Sequence, residues 1–201
     1  MAESRFSKPF TQIENRDTKT RSYFSSPPKV ANFMQKPRIY LDSSFISAFW
    51  FAGPNAEGQV RRRKTRDWWA AERREFELWG SAFVVAELQT GIYRHQAESV
   101  RMSRSLKFCP MTGAVKNCCR SLLETGLIPA NKPMDAWHLS FAVCHEMDYL
   151  LTWNYAHLAN SAAQSRLNEL CGRLRCKAPL LVSPESIPQV RFGQTVVRGD
   201  Q

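Results

Sequence analysis

Three acidic residues and one amide stand at the ends of apolar segments in widely separated parts of the chain. Asp42, Glu87 and Asn154 each follow a short apolar run, and Asp135 opens a helical stretch. Ends of elements at the carboxyl edge of a sheet are where α/β folds build their sites. Carboxylate and amide oxygens are the ligands that Mg²⁺ and Mn²⁺ prefer. The pattern therefore predicts a divalent-metal site held by Asp42, Glu87 and Asp135.

Each of these residues also has a simpler structural explanation. Asp42 could only cap the following helix, and Glu87 could lie on the surface. Asp135 is favoured in a first helical turn by the helix dipole, and Asn154 could belong to a turn. All four occupy comparable places, which favours a shared role. Three neighbouring carboxylates would repel one another strongly without a cation between them.

Short apolar runs alternate with amphipathic stretches along most of the chain. The runs predict strands at 39–42, 76–79, 149–153 and 180–182. The stretches predict helices at 45–50, 57–74, 93–108, 112–125, 134–147 and 160–174, with a further helix carrying Glu87. Ser43 or Ser44 is the expected cap of the first helix. This alternation predicts an α/β fold whose mainly parallel sheet, of four to five strands, is covered on both faces.

The two ends of the chain differ from this pattern. Residues 1–36 lack a sustained period and hold seven basic and three acidic residues, which predicts a flexible basic arm. Residues 37–190 are expected to form one domain, followed by a loose tail at 191–201. The chain has neither an apolar run long enough to span a membrane nor the apolar core of a signal peptide. A cytoplasmic location is therefore expected.

A formal net charge of +10 favours a polyanionic partner, either nucleic acid or an acidic protein. The strongest basic cluster precedes Trp68-Trp69 and consists of Arg61, Arg62, Arg63, Lys64 and Arg66. Arginines beside aromatic residues suit phosphate contacts and base stacking. The alternative is a solvated helix face with both tryptophans turned into the core.

The six cysteines do not form a Cys-x-x-Cys pair, so their spacing does not favour a zinc site. Several lie in apolar helical stretches, where a reduced cysteine packs as a small apolar residue. Asp135 and His138 together could bind iron, but that design needs two such pairs on helices and the sequence offers one. His138 is more simply expected to support the site by hydrogen bonding.

Four motifs, in order, give the chain a resemblance to the PIN domain family, which includes the VapC-type toxins of toxin–antitoxin pairs. The motifs are Ile39-Tyr40-Leu41-Asp42-Ser43-Ser44, Ser81 with Glu87-Leu88, Asp135-Ala136-Trp137-His138-Leu139, and Asp148-Tyr149-Leu150-Leu151-Thr152-Trp153-Asn154. The resemblance covers residues 37–185 and implies a three-layer α/β/α sandwich. Where the family carries a fourth acid this chain has Asn154, and its Thr-Trp-Asn sequence resembles a subgroup of PIN-like proteins.

The resemblance implies a ribonuclease that uses Mg²⁺ or Mn²⁺, acts on RNA, is held by an antitoxin and forms a homodimer. Its ligands would be Asp42, Glu87 and Asp135, with Asn154 also in the catalytic set. Ser43, Thr152 and His138 are expected to support these residues by hydrogen bonds. Phosphodiester hydrolysis fits this set, since it needs an activated water and a stabilised leaving oxygen.

Two other functions remain open from the sequence. The chain could be a PIN-like module that binds RNA or protein with little catalysis, because Asn154 carries no charge. A phosphatase of the haloacid-dehalogenase type also begins with an acid at a strand end. That class needs a second aspartate two positions later, where this chain has Ser44.

Overall fold

The computed structural model describes residues 35–187 of the chain. Its strands are β1 (Arg38–Leu41), β2 (Glu77–Ser81), β3 (Lys107–Cys109), β4 (Tyr149–Leu151) and β5 (Leu180–Val182). Its helices are α1 (Ser43–Phe49), α2 (Ala56–Ala71), α3 (Ala82–Leu88), α4 (Gln96–Arg104), α5 (Gly113–Glu124), α6 (Pro133–Cys144) and α7 (Ser161–Leu174), with a 3-10 turn at Arg73–Glu75.

The five strands form one sheet in the order β3-β2-β1-β4-β5, and every neighbouring pair is parallel. In the central strand, Ile39, Tyr40 and Leu41 are completely buried, so helices cover both faces of the sheet. The predicted three-layer α/β/α fold with a mainly parallel sheet is confirmed.

The order of the strands creates a switch point beside β1. The chain runs outward from β1 through β2 to β3, then returns to place β4 and β5 on the other side of β1. Parallel sheets open a crevice at the carboxyl ends of the strands where this reversal occurs. Leu41 pairs with Leu151 in the register of β1 and β4. The residues that follow them, Asp42 and Thr152, are therefore neighbours at this edge.

Strand β3 was not predicted, and its first two residues lie in the helix expected at 93–108. The helix ends at Arg104, and Lys107–Cys109 pairs with β2 as an edge strand. Lys107 and Phe108 are exposed and only Cys109 is buried, so this strand carries no apolar run of its own. Its pairing with β2 decides its conformation, as tertiary context often does for short strands.

The predicted cap of the first helix is also wrong. Asp42, rather than Ser43 or Ser44, is the N-cap of α1, and its Oδ1 accepts a hydrogen bond of 3.1 Å from the Phe45 amide. An aspartate at the N-cap satisfies one of the free amides of the first turn. Asp42 is therefore the single residue between β1 and α1, and its side chain caps the helix.

The predicted basic arm lies outside the described residues apart from positions 35 and 36, and so does the predicted tail at 191–201. The predicted domain at 37–190 is described as far as residue 187. Among the helices of residues 35–187, none is both long and apolar enough to cross a membrane.

Candidate metal and nuclease site

The Asp42 carboxylate is held from several directions at the carboxyl end of β1. Only 3% of the residue is exposed. Oδ1 accepts hydrogen bonds from the Ser44 hydroxyl at 2.7 Å and from the Phe45 amide, and Oδ2 accepts one from the Thr152 hydroxyl at 2.5 Å. Burial raises the pKa of Asp42, and the charge of His138 and these hydrogen bonds oppose the rise only in part. All of its hydrogen-bond donors are neutral, so its charge is poorly compensated.

Ser44 joins the ends of β1 and β4. Its hydroxyl donates to Asp42, accepts a 2.8 Å hydrogen bond from the Trp153 amide, and lies 3.3 Å from the Thr152 hydroxyl. The predicted Ser43 hydroxyl hydrogen-bonds Glu87 and helps to lower its pKa, whereas the contact of Ser44 with Asp42 was not predicted. The available signal was that a hydroxyl in the first helical turn, two positions after a capping aspartate, can reach back to its side chain.

Glu87 and His138 form a second, differently built part of the site. Glu87 lies on α3 and His138 on α6, with 2.5 Å between Oε2 and Nε2. Burial raises the pKa of Glu87, but the hydrogen bond and charge of His138 and the Ser43 hydroxyl outweigh it, so this pKa lies below its usual value. Burial lowers the pKa of His138, and the contact with Glu87 and the charges of Glu87, Asp42 and Asp135 more than reverse that effect. The pair is therefore stabilised as an ion pair.

A buried chain of hydrogen bonds fixes the other side of the His138 ring. The Tyr40 hydroxyl lies 3.1 Å from Nδ1 of His138 and 2.7 Å from the Ser81 hydroxyl. Complete burial raises the pKa of Tyr40 well above its usual value, so the phenol stays neutral. The raised pKa of His138 favours the doubly protonated ring, which donates to Glu87 and to Tyr40. Tyr40 and Ser81 belong to the sequence motifs but were assigned no role in the site, although a tyrosine in a buried strand needs a polar partner.

Asp135 lies in the first turn of α6, one turn before His138. Within residues 35–187, its Oδ2 is buried and has no hydrogen-bond partner. A buried carboxylate oxygen without a partner is costly, and a cation beside it would remove that cost. The negative charges of Asp42, Glu87 and Asp135 all raise the pKa of His138. The charges of all three predicted ligands therefore act on one imidazole near the switch point.

The chemistry of these donors fits a hard divalent cation, and the unpartnered Oδ2 of Asp135 supports that fit. The side chains do not form a finished ligand set, since no group of three or more His, Cys, Asp or Glu among residues 35–187 is arranged to hold a metal. Asp42 and Glu87 instead have their oxygens directed toward hydrogen-bond donors of the protein. Carboxylates have free lone pairs beyond these bonds, so ligation is chemically open to them.

Asn154 has a structural role at the end of β4. Its Oδ1 accepts a 3.1 Å hydrogen bond from the His157 amide, and its own amide donates to the Thr152 hydroxyl at 2.9 Å. These bonds form a turn typical of asparagine. They also hold Thr152 in the position from which it donates to Asp42.

The five basic residues of the predicted RNA-binding cluster all lie on α2 but face different surroundings. Arg61 pairs with Glu57, and Lys64 pairs with Glu185. Arg66 donates from Nε to the Phe49 carbonyl. Of the remaining two, Arg63 is exposed, whereas Nε of Arg62 is buried without a partner among the described residues. The cluster is therefore not one continuous solvent-facing surface, and Arg63 is its most accessible member.

No family model matches the chain, and no curated protein matches it. One solved structure with a similar fold is VapC20 of Mycobacterium tuberculosis, described as a sarcin-ricin loop cleaving toxin. The two chains are 16% identical, the match covers 59% of this chain and 92% of VapC20, and the TM-score is 0.43. This likeness is too distant to assign an activity.

Proposed function

We propose that this protein is a metal-dependent endoribonuclease that hydrolyses RNA phosphodiester bonds at the edge between β1 and β4. One observation carries the proposal: the charges of three carboxylates act on His138 near the switch point, and one of them, Asp135, has a buried oxygen without a partner among residues 35–187. A structural cluster would be expected to satisfy its own polar atoms. A cation-binding cluster keeps an oxygen available for its ligand.

In this proposal Asp42, Glu87 and Asp135 hold Mg²⁺ or Mn²⁺. The bound ion would supply an activated water at neutral pH and stabilise the negative charge that develops on the leaving oxygen. The remaining residues position the carboxylates. His138 orients Glu87 and offsets part of the negative charge, while Thr152 and Ser44 fix the two oxygens of Asp42.

RNA would reach this edge with the help of positive charge. The chain carries a net charge of +10, and α2 contributes Arg61, Arg62, Arg63, Lys64 and Arg66. We propose that some of these residues contact phosphates, with Arg63 the most accessible. The NH₂ group of Asn154 would donate to a phosphate oxygen, because its Oδ1 is already bound to the His157 amide.

The biological role is proposed from the four sequence motifs alone. They support a toxin of a type II toxin–antitoxin pair, acting in the cytoplasm as a homodimer and inhibited by an antitoxin. A small neighbouring reading frame encoding a DNA-binding protein would be the expected genetic partner.

A second candidate function is an RNA- or protein-binding module with weak catalysis. The observation that favours it is Asn154, which is uncharged where the resemblance places a fourth acid and whose Oδ1 is used in a turn. This module would bind RNA equally well with or without divalent metal.

Cleavage of a mixed pool of structured RNA in Mg²⁺ or Mn²⁺ separates the two functions. We expect the wild-type protein to cleave, and both Asp135→Asn and chelator to abolish cleavage without changing the melting temperature of the apoprotein by more than a few degrees. Cleavage that persists in Asp135→Asn would contradict the proposed site. RNA binding without cleavage, unaffected by chelator and by Asp135→Asn, would establish the binding module instead.

A further inference from the structure

A cavity of about 510 Å³ opens next to the candidate site, between α1, the start of α2 and Trp153. We call it the α1–α2 pocket. Two of its lining residues, Phe51 and Trp153, are aromatic. Ser44, Ser47 and Arg61 also line it. Its volume lies within the range of sites that hold small organic groups.

Ser44 connects the pocket directly to the candidate site. Ser44 lines the pocket, and its hydroxyl donates to Oδ1 of Asp42 at 2.7 Å. A group bound in the pocket would therefore be separated from the Asp42 carboxylate by the Ser44 side chain. Any RNA phosphate presented to Asp42 would place an adjacent nucleotide at the pocket.

Two glycines allow the Phe51 ring to pack in the pocket wall. A Cβ added at Gly53 would lie 2.7 Å from the Phe51 ring, and one added at Gly58 would collide with the same ring. The ring therefore lies directly against glycine backbone, and larger residues would displace it. The absence of side chains at these two positions lets Phe51 line the pocket.

The other walls are also suited to a flat aromatic ligand. Nε1 of Trp153 donates to the Thr65 hydroxyl at 2.8 Å, and its backbone amide donates to Ser44, so the indole is fixed and its polar group is satisfied. The Arg61 guanidinium lies 5.7 Å from the centre of the indole ring. Aromatic rings and guanidinium planes are the surfaces on which unpaired nucleobases stack.

We propose that the α1–α2 pocket receives one unpaired nucleobase of the RNA beside the cleaved phosphodiester, an inference that rests on the proposed ribonuclease function. The base lies against Phe51 and the Arg61 guanidinium, with the Ser47 hydroxyl and the Asn55 amide near its polar edge. A base within a duplex is stacked on both faces and does not enter such a pocket without leaving the helix. The base that enters the pocket is therefore one that is unpaired in the bound RNA.

The test combines a substitution that fills the pocket with removal of single bases from the RNA. Ser47 is exposed and lines the pocket, so Ser47→Phe fills it without disturbing the core. Ser165→Phe, at an exposed position of α7, is the matched control. Gly58→Ala alters the pocket differently, by pushing the Phe51 ring from its place. Once the cleaved bond has been mapped, kcat/KM is measured on RNAs with one abasic nucleotide at each position around it.

With the wild-type enzyme, we expect one abasic position to lower kcat/KM roughly tenfold, the scale of one stacked base. Ser47→Phe and Gly58→Ala should lower kcat/KM on intact RNA to a similar degree and show no further loss at that abasic position. Ser165→Phe should behave as the wild type. In the Asp135→Asn background, 2-aminopurine at the same position should be quenched on binding, and Ser47→Phe should remove the quenching.

Two failures are distinguishable. If the wild type cleaves in an Asp135-dependent manner but the losses from Ser47→Phe and from base removal multiply, or if no abasic position matters, the pocket assignment is overturned and the ribonuclease stands. If the wild type does not cleave, or Asp135→Asn still cleaves, the proposed function is overturned and the role of the pocket with it.

Discussion

Asp42 and Glu87 are carboxylates of the same candidate site, yet they are held in opposite ways. On the β1–β4 side, Asp42 is almost completely buried among neutral donors, and burial raises its pKa. On the α3–α6 side, Glu87 faces His138, and the ion pair outweighs burial and lowers its pKa. Environments that separate the pKa values of neighbouring acids are typical of sites that give them different tasks.

This difference assigns the two sides different roles. The negative charge of Glu87 is compensated by the protein itself, so the α3–α6 side is a stable support. The negative charge of Asp42 is compensated poorly, and an oxygen of Asp135 has no partner among the described residues. A cation would therefore gain most from the oxygens of Asp42 and Asp135.

The largest expected effect is on cleavage. Asp42→Asn and Asp135→Asn should each lower kcat/KM on RNA by roughly two orders of magnitude or more, because metal-assisted charge stabilisation contributes several kcal/mol. His138→Gln should cost less, because it removes the charge beside Glu87 but no proposed ligand. Single-turnover cleavage assays measure all three. A larger loss in His138→Gln than in Asp42→Asn would reverse the roles assigned to the two sides.

A smaller effect is expected on the affinity for RNA. It should come from substitutions on α2 rather than from substitutions of the carboxylates. Replacing Arg61, Arg62 and Arg63 together with glutamine should weaken binding and reduce the slope of log affinity against log salt by up to about 2, since each single-strand phosphate contact contributes roughly 0.7. The test is a salt titration by fluorescence anisotropy in chelator. An unchanged slope would remove α2 from the path of the RNA. The Asp135→Asn protein is the control and should keep the wild-type slope.

Opposite changes in the free energy of unfolding provide a sharper test of the difference between Asp42 and Glu87. In metal-free buffer at neutral pH, Glu87→Gln should lower the free energy of unfolding by roughly 1–2 kcal/mol, because it breaks a charge-assisted hydrogen bond. Asp42→Asn should leave it unchanged or raise it, since asparagine also caps helices well and removes a poorly compensated charge. Thermal melts in EDTA measure both, with about 2–4 °C expected per kcal/mol. Destabilisation of similar size in both variants would show that the two sides are held alike.

The smallest expected effect is the pH dependence of these differences. Because the pKa of Glu87 is lowered in the folded protein, the stability that Glu87 contributes is lost as pH falls through this folded-state pKa. Because the pKa of His138 is raised, the stability that His138 contributes is lost as pH rises through its folded-state pKa. The loss in Glu87→Gln should therefore be largest between them. Asp42 behaves differently: its raised pKa destabilises the fold only as pH rises above its unfolded value of about 3.9.

The advantage of Asp42→Asn should accordingly disappear in acid, where the wild-type carboxyl is protonated in both the folded and the unfolded protein. Melts of the wild type and both variants in EDTA, from about pH 3 to about pH 9, cover these ranges. Parallel curves for the two variants would contradict the opposite shifts.

The fold could be predicted from the sequence because its signals are local. The apolar runs of β1, β4 and β5 and the helical periods are visible in short windows. Strand β3 was missed because two of its three residues are exposed and only its pairing with β2 defines it. The sequence also placed candidate ligands at element ends, since parallel topology brings those ends to one edge.

The internal structure of the candidate site could not be predicted in this way. Glu87 meets His138 across 51 positions, and Tyr40 meets the same ring across 98. No periodicity reports such contacts, so the sequence did not reveal that the charges of three carboxylates act on one imidazole. The contact of Ser44 with Asp42 likewise depends on Asp42 being the cap of α1, which brings the hydroxyl two positions later within reach of its side chain.

The hydrogen bond between Thr152 and Asp42 has a consequence for the order in which the protein becomes functional. The two residues are 110 positions apart, whereas β1 pairs with β2 over a much shorter loop. Closing a long loop is slow and comes after local pairing during folding. On the ribosome, Asp42 remains without its Thr152 partner until β4 has been synthesised and has left the exit tunnel. A nascent chain would thus hold an incomplete candidate site through most of its own translation.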